Sequence, residues 1–155
     1  MTTDIASTSV STSIVVEAPI EHAFTVFTDG IDTWWNKDHH LIDDLDHMVF
    51  DTYVGGHVYD VAKDGSVCRW SRVLAYDPPG RVVFSWDITP DWRVETDPAR
   101  TSEIEVRFTA LDPVTTRVDL EHRHLDRHGE GWEAMRTAVS TGWDLSAFAH
   151  AANAA

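Results

Sequence analysis

Histidines and acids gather twice in this chain at spacings that could do chemistry. His40, Asp43, Asp44 and His47 lie three, four and seven residues apart, so a helix would bring two imidazoles and a carboxylate to one metal ion. The 39–47 run is very polar, however, and such runs are usually solvated, so no metal site is assigned. His122 and His124 stand two apart in an alternating stretch, on the side that Val118 and Leu120 mark as interior. An imidazole on an apolar face is most often held by one hydrogen bond and inert; the sharper reading is a group that orients a ligand or moves a proton. His124 is close to the strand end, where water reaches, which leaves His122 as the candidate polar contact.

Arg72 shares a strand face with Cys68, Trp70 and Leu74. A regular register aims its guanidinium inward, where it needs an anion. An inward acid is a plainer partner than a ligand carboxylate, and a bulge that re-aims the side chain is plainer still. Cys68 has no nearby base and reads as a small core residue. Seven tryptophans are many for 155 residues. Trp35, Trp70, Trp86 and Trp143 all fall on inward faces, as core or as walls of a pocket for flat or apolar ligands. No phosphate cradle, Gly-x-Ser-x-Gly elbow or zinc-protease helix is present, and no catalytic residue is assigned.

The elements that must position these residues are legible in order. Val10 to Val16 alternates as a half-buried strand. Pro19 suits a first helical turn, and Ala23, Phe24 and Phe27 form a stripe on a helix over 19–28, ended by Asp29-Gly30. The stretch from Ile31 to His47 fits a short helix or a loop. Met48, Phe50, Thr52 and Val54 alternate into Gly55-Gly56, and His57 to Val61 completes a hairpin. Turns at Asp64-Gly65 and Asp77 to Gly80 bound the next strand. Val82, Phe84, Trp86 and Ile88 make an apolar inward face, with Val83, Ser85 and Asp87 pointing the other way. A loop over 89–101 precedes two alternating strands, through Phe108 and through His124. From Gly131 to Ala152 the chain favours helix, and Met135, Val139 and Trp143 share one face. Leu145 and Phe148 shift that stripe, which predicts a bend near Ser140-Thr141-Gly142. A sheet with one apolar face needs a second layer, and this helix supplies it.

Twelve Lys and Arg against 26 Asp and Glu give a net charge of −14, which opposes nucleic acid and anionic lipid and favours solubility. One cysteine excludes an internal disulfide and fits a reducing compartment. Residues 1–9 read as a flexible tail with neither signal peptide nor anchor, so a cytoplasmic location is expected. Residues 10–155 read as one domain.

Four stretches carry a family resemblance: Ala18-Pro19, Thr28 to Ile31 with Trp34-Trp35, Val54-Gly55-Gly56, and Asp77-Pro78-Pro79 with Val83 to Trp86. Leu120-Glu121-His122 and Gly142-Trp143 add to it. In this order they resemble the START-like (SRPBCC) superfamily, nearest the branch similar to the C-terminal domain of the activator of heat-shock chaperone ATPase, common in bacteria. Members of the family it resembles usually carry an arginine or similar residue after the paired glycines, where this chain has His57. The resemblance implies an α+β helix-grip fold: a curved antiparallel sheet around a long C-terminal helix, with one or two short helices after the first strand. It also implies a cavity between sheet and helix, on the order of 300 Å3 or more if a ligand is held. Trp35, Phe50, Trp70, Arg72, Phe84, Trp86, His122 and Trp143 are then its expected lining. The first expectation is binding of a hydrophobic or aromatic small molecule, with no cofactor. The second is a cyclase or aromatase-like enzyme in the same pocket, and the third a chaperone-ATPase regulator. A chaperone or a second copy of the chain is the macromolecular partner left open.

Overall fold

The computed structural model describes residues 8–35 and 41–153. Seven strands form one antiparallel sheet in the order β1-β7-β6-β5-β4-β3-β2, so β1 leaves the meander and returns beside the last strand. They are β1 (Val10–Val16), β2 (Leu45–Phe50), β3 (His57–Ala62), β4 (Val67–Asp77), β5 (Arg81–Trp86), β6 (Ser102–Asp112) and β7 (Thr115–Arg123). Between β1 and β2 stand α1 (Ile20–Phe27) and α2 (Ile31–Trp34), and α3 (Trp132–Gly142) and α4 (Ser146–Asn153) close the chain. This is the α+β helix-grip fold. No helix among the described residues is long and apolar enough to cross a membrane.

Periodicity explains the layers. Pro19 caps α1, and Ala23, Phe24 and Phe27 are buried along it. Phe27 meets Phe84 of β5, Phe108 of β6 and Phe148 of α4 at ring distances of 5.3–6.3 Å. Burying a ring of this kind contributes about 2–3 kcal/mol. Met135, Val139, Trp143, Leu145 and Phe148 are all buried against the sheet and the short helices, as their spacing predicts.

Four details differ from the sequence reading. β2 begins at Leu45 and stops at Phe50, and exposed Tyr53 and Val54 belong to the turn before Gly56. The C-terminal helix is broken outright: α3 stops at Gly142, and Trp143, Asp144 and Leu145 link it to α4. The Asp144 carboxylate accepts from the N–H and hydroxyl of Ser146, so the second helix starts afresh rather than bending. Val83, Ser85 and Asp87 do face away from Trp86, yet all three are buried, because arginine arms cover the outer face of the sheet. There Glu105 takes Arg81 and Arg123; burial pushes its pKa up, but the two guanidinium bonds outweigh that and hold it below the ordinary glutamate range.

The fourth is Arg72. Val58 pairs with Ser71 and Tyr59 with Arg69, so Trp70 is an extra residue in β4 and the alternation flips there. Val73 then faces inward and Arg72 does not. Its guanidinium grips Asp87 with two bonds of 2.9 and 3.0 Å and donates a third to Thr101 Oγ1. Of the expected tail, residues 1–7 lie outside the described residues, while Thr8 C=O accepts from Leu125 N at 2.9 Å.

Candidate functional site

Between the inner face of the sheet and the α3–α4 joint lies a cavity of about 680 Å3. Six of the seven tryptophans line it: Trp34, Trp35, Trp70, Trp86, Trp92 and Trp143. The local folding that puts them there differs for each. Trp34 ends α2 and its indole N–H donates to Val26 C=O at 2.9 Å, while Trp35 leaves that helix in extended conformation. Trp70 faces inward by its parity with Cys68, just before the alternation of β4 flips, and Trp86 by the alternation of β5. Trp143 sits at the break between α3 and α4. The rings of Trp34, Trp35, Trp70, Trp86 and Trp143 form one contact network, with centroid distances of 5.3 Å for Trp35–Trp70, 5.7 Å for Trp70–Trp86 and 5.6 Å for Trp35–Trp143. Ile88 and Leu41 add apolar wall, and exposed Thr141, Gly142 and Asp144 line the rim at the helix joint.

Asp60 is the polar group of the interior lining. It is 1 % exposed, shares the inward face of β3 with Val58 and Ala62, and accepts the Trp70 indole N–H at 3.1 Å. The strand reading passed over it, although its parity with Val58 was a usable signal. Trp92 was missed as well, because the 89–101 loop has no periodicity to place it.

His122 is fully buried and stands behind the cavity wall rather than on its surface. The Trp143 indole, a donor only, gives its N–H to His122 Nδ1 at 3.0 Å. A neutral His122 therefore carries its proton on Nε2 and donates to Ser102 Oγ at 2.7 Å. Ser102 in turn donates to His128 Nε2, also at 2.7 Å. One indole thus fixes the proton order of a four-member chain, which ends on His128 Nδ1–H, buried and without a hydrogen-bond partner among the described residues. Burial, with His128 close by, pushes the His122 pKa down to about 3. Burial also lowers that of His128. Both rings are neutral near pH 7, and His122 holds the wall in place with both nitrogens engaged.

The other expected lining residues divide plainly. The structure brings Trp35, Trp70, Trp86 and Trp143 together around the cavity. Phe50 and Phe84 pack on each other at 5.4 Å in the core beneath it. Arg72 is tied to Asp87 on the opposite side of the sheet. His124 has left the strand, with φ of 63°, and is half-buried. The helical spacing of the polar run is not realised: Asp43 and Asp44 precede a strand, His47 in that strand bonds Asp46, and His40 lies outside the described residues. Among the described residues no group of three or more His, Cys, Asp or Glu could hold a metal.

The family model for Activator of Hsp90 ATPase homolog 1-like protein matches residues 17–149. No curated protein sequence matches the chain. Among solved structures, the chain is similar to the anthrahydroquino-gamma-pyrone synthase Txn09, with 38% identity over 92% of this chain and 95% of that one, and a TM-score of 0.66. It shares its fold with the self-sacrificing resistance protein CalC from Micromonospora echinospora, at 24% identity over 94% and 92% of the two chains and a TM-score of 0.59. Protein NE0264 from Nitrosomonas europaea has the same fold at 11% identity over 93% of each chain, with a TM-score of 0.65.

Proposed function

The chain belongs to the Activator of Hsp90 ATPase homolog 1-like family, and we propose that this member holds a flat polycyclic aromatic molecule in its tryptophan-walled cavity and closes an oxygen ring on it. The observation that carries this is the cavity itself: about 680 Å3, walled by indoles, with a buried carboxylate in its lining. That volume suits a drug-sized ligand, and indole faces suit planar rings. The 38% relative named as a pyrone synthase supports the choice of reaction.

A γ-pyrone closes when a phenol oxygen adds to the distal carbonyl carbon of a 1,3-diketone side chain: the C=O π pair becomes a hydroxyl that leaves as water when the ring C=C forms, and the phenolic proton must leave its oxygen as the new bond is made. Asp60 is the group in the lining that takes it, with the Trp70 N–H fixing the orientation of the carboxylate. The indole walls supply the rest by holding the side chain folded against the ring, so that the two reacting atoms stay in contact.

Protein purified from its own host and denatured should release a stoichiometric polycyclic aromatic passenger, identified by mass spectrometry. Asp60→Asn keeps an oxygen for Trp70 but no basic carboxylate. It should lower turnover of that molecule or its precursor by about 100-fold while the Kd changes less than about threefold. An empty protein that also ignores aromatic probes would remove the proposal. Regulation of a chaperone ATPase is the second function that the family description supports, and association that weakens with added salt is its test.

A further inference from the structure

Trp92 stands at the rim of the cavity under two costs at once. Its backbone lies in the left-handed region, φ 62°, where a bulky side chain is rarely found. Its side chain is 47 % exposed, and of the seven tryptophans, all of them described, it alone is exposed. The conformation is imposed by the loop. Ile88 bridges to Val94, Thr89 N–H donates to Arg93 C=O at 2.7 Å, and Trp92 N–H donates back to Thr89 C=O at 2.8 Å. The Thr89 hydroxyl accepts the Arg93 N–H at 3.1 Å and locks the turn. Glycine or asparagine would serve this turn with less strain, so the indole is not there for the turn. Nor is it there for the core, because nearly half of it is wet. Strain held at a ligand cavity, by a side chain that the rest of the fold leaves uncovered, is what a binding contact costs before its ligand arrives.

Resting on the cavity function proposed above, we infer that Trp92 is a specificity-determining contact: the outer face of a planar ligand stacks on its indole, and the ligand completes the burial that the fold leaves unfinished. The buried tryptophans hold the inner part of the ligand, and Trp92 reads whether the protruding part is flat.

The test uses the full chain and 1,8-dihydroxyanthraquinone as a flat probe, with binding measured by equilibrium dialysis and the probe's visible absorption. Trp92→Gly should raise the Kd about tenfold. Its thermal midpoint should stay level or rise, because glycine relieves the backbone. Trp92→Phe, which keeps a stacking face, should stay within about threefold of the parent. Equal affinity of Trp92→Gly and the parent overturns the assignment and leaves the cavity reading standing. A fall of several degrees in the midpoint of Trp92→Gly also overturns it, since the ring would then be serving the fold. A parent protein that binds no probe overturns the assignment and the cavity reading together.

Discussion

At the scale of single residues, the chain Trp143–His122–Ser102–His128 is the feature on which the inner wall depends. Each buried polar atom along it relies on the next, so removing either inner member, His122 or Ser102, strands two others. His122→Phe is similar in shape but leaves the Trp143 N–H and the Ser102 hydroxyl without their partner. It should cost about 2–4 kcal/mol in urea unfolding, a loss that a histidine merely filling space would not produce. That His122 faces the apolar interior follows from its parity with Val118 and Leu120. What the sequence could not reveal is that both its nitrogens are taken, because Ser102 and Trp143 are 20 and 21 residues away along the chain. Asp60 shows the converse. Its parity with Val58 and Ala62 was in the sequence, but a carboxylate in a strand usually marks the wet face.

At the scale of elements, the joints carry the sensitive positions. Gly131 opens α3 with φ of +93°, and a Cβ there would sit 3.0 Å from Pro90 Cβ in the loop that bears Trp92. Gly131→Ala should therefore lose about 2 kcal/mol in urea unfolding from backbone strain and crowding together. Gly55→Ala, with φ of +94° and open space around it, should lose only about 1 kcal/mol from strain. Equal losses would show that the contact with Pro90 yields freely. Strands that alternate without interruption were legible, as β5, β6 and β7 show. Arg72 was not placed by the period, since one inserted residue at Trp70 reverses the positions that follow it until a second irregularity after Val73. The split of the last helix was foreseen only as a bend, three residues early, because the shifted stripe shows that the axis turns and not that the helix restarts.

At the scale of the whole molecule, acid should destabilise the fold through its buried imidazoles. An unfolded chain protonates His122 near its ordinary value of 6.5, whereas the folded chain waits until about pH 3. Between those limits the unfolded state binds the extra proton, so stability falls as pH falls, by about 1.4 kcal/mol per unit. His128 adds in the same direction. Urea midpoints at pH 7.5 and pH 5.0 should differ by an amount equivalent to about 2 kcal/mol or more. Protonation of carboxylates relieves the repulsion of a chain at −14 and opposes the loss, but chiefly near and below pH 4, outside this comparison. A flat profile from pH 7.5 to 5.0 would show that the two rings take up protons while folded.

The contact network of indoles has an optical consequence. Rings this close do not absorb or emit as separate chromophores: excitation is shared across Trp34, Trp35, Trp70, Trp86 and Trp143, and their transitions couple in near-ultraviolet circular dichroism. A molecule that enters the cavity perturbs the whole array rather than one emitter. The wall of the site is thereby its own spectroscopic reporter, and occupancy can be followed in unlabelled protein.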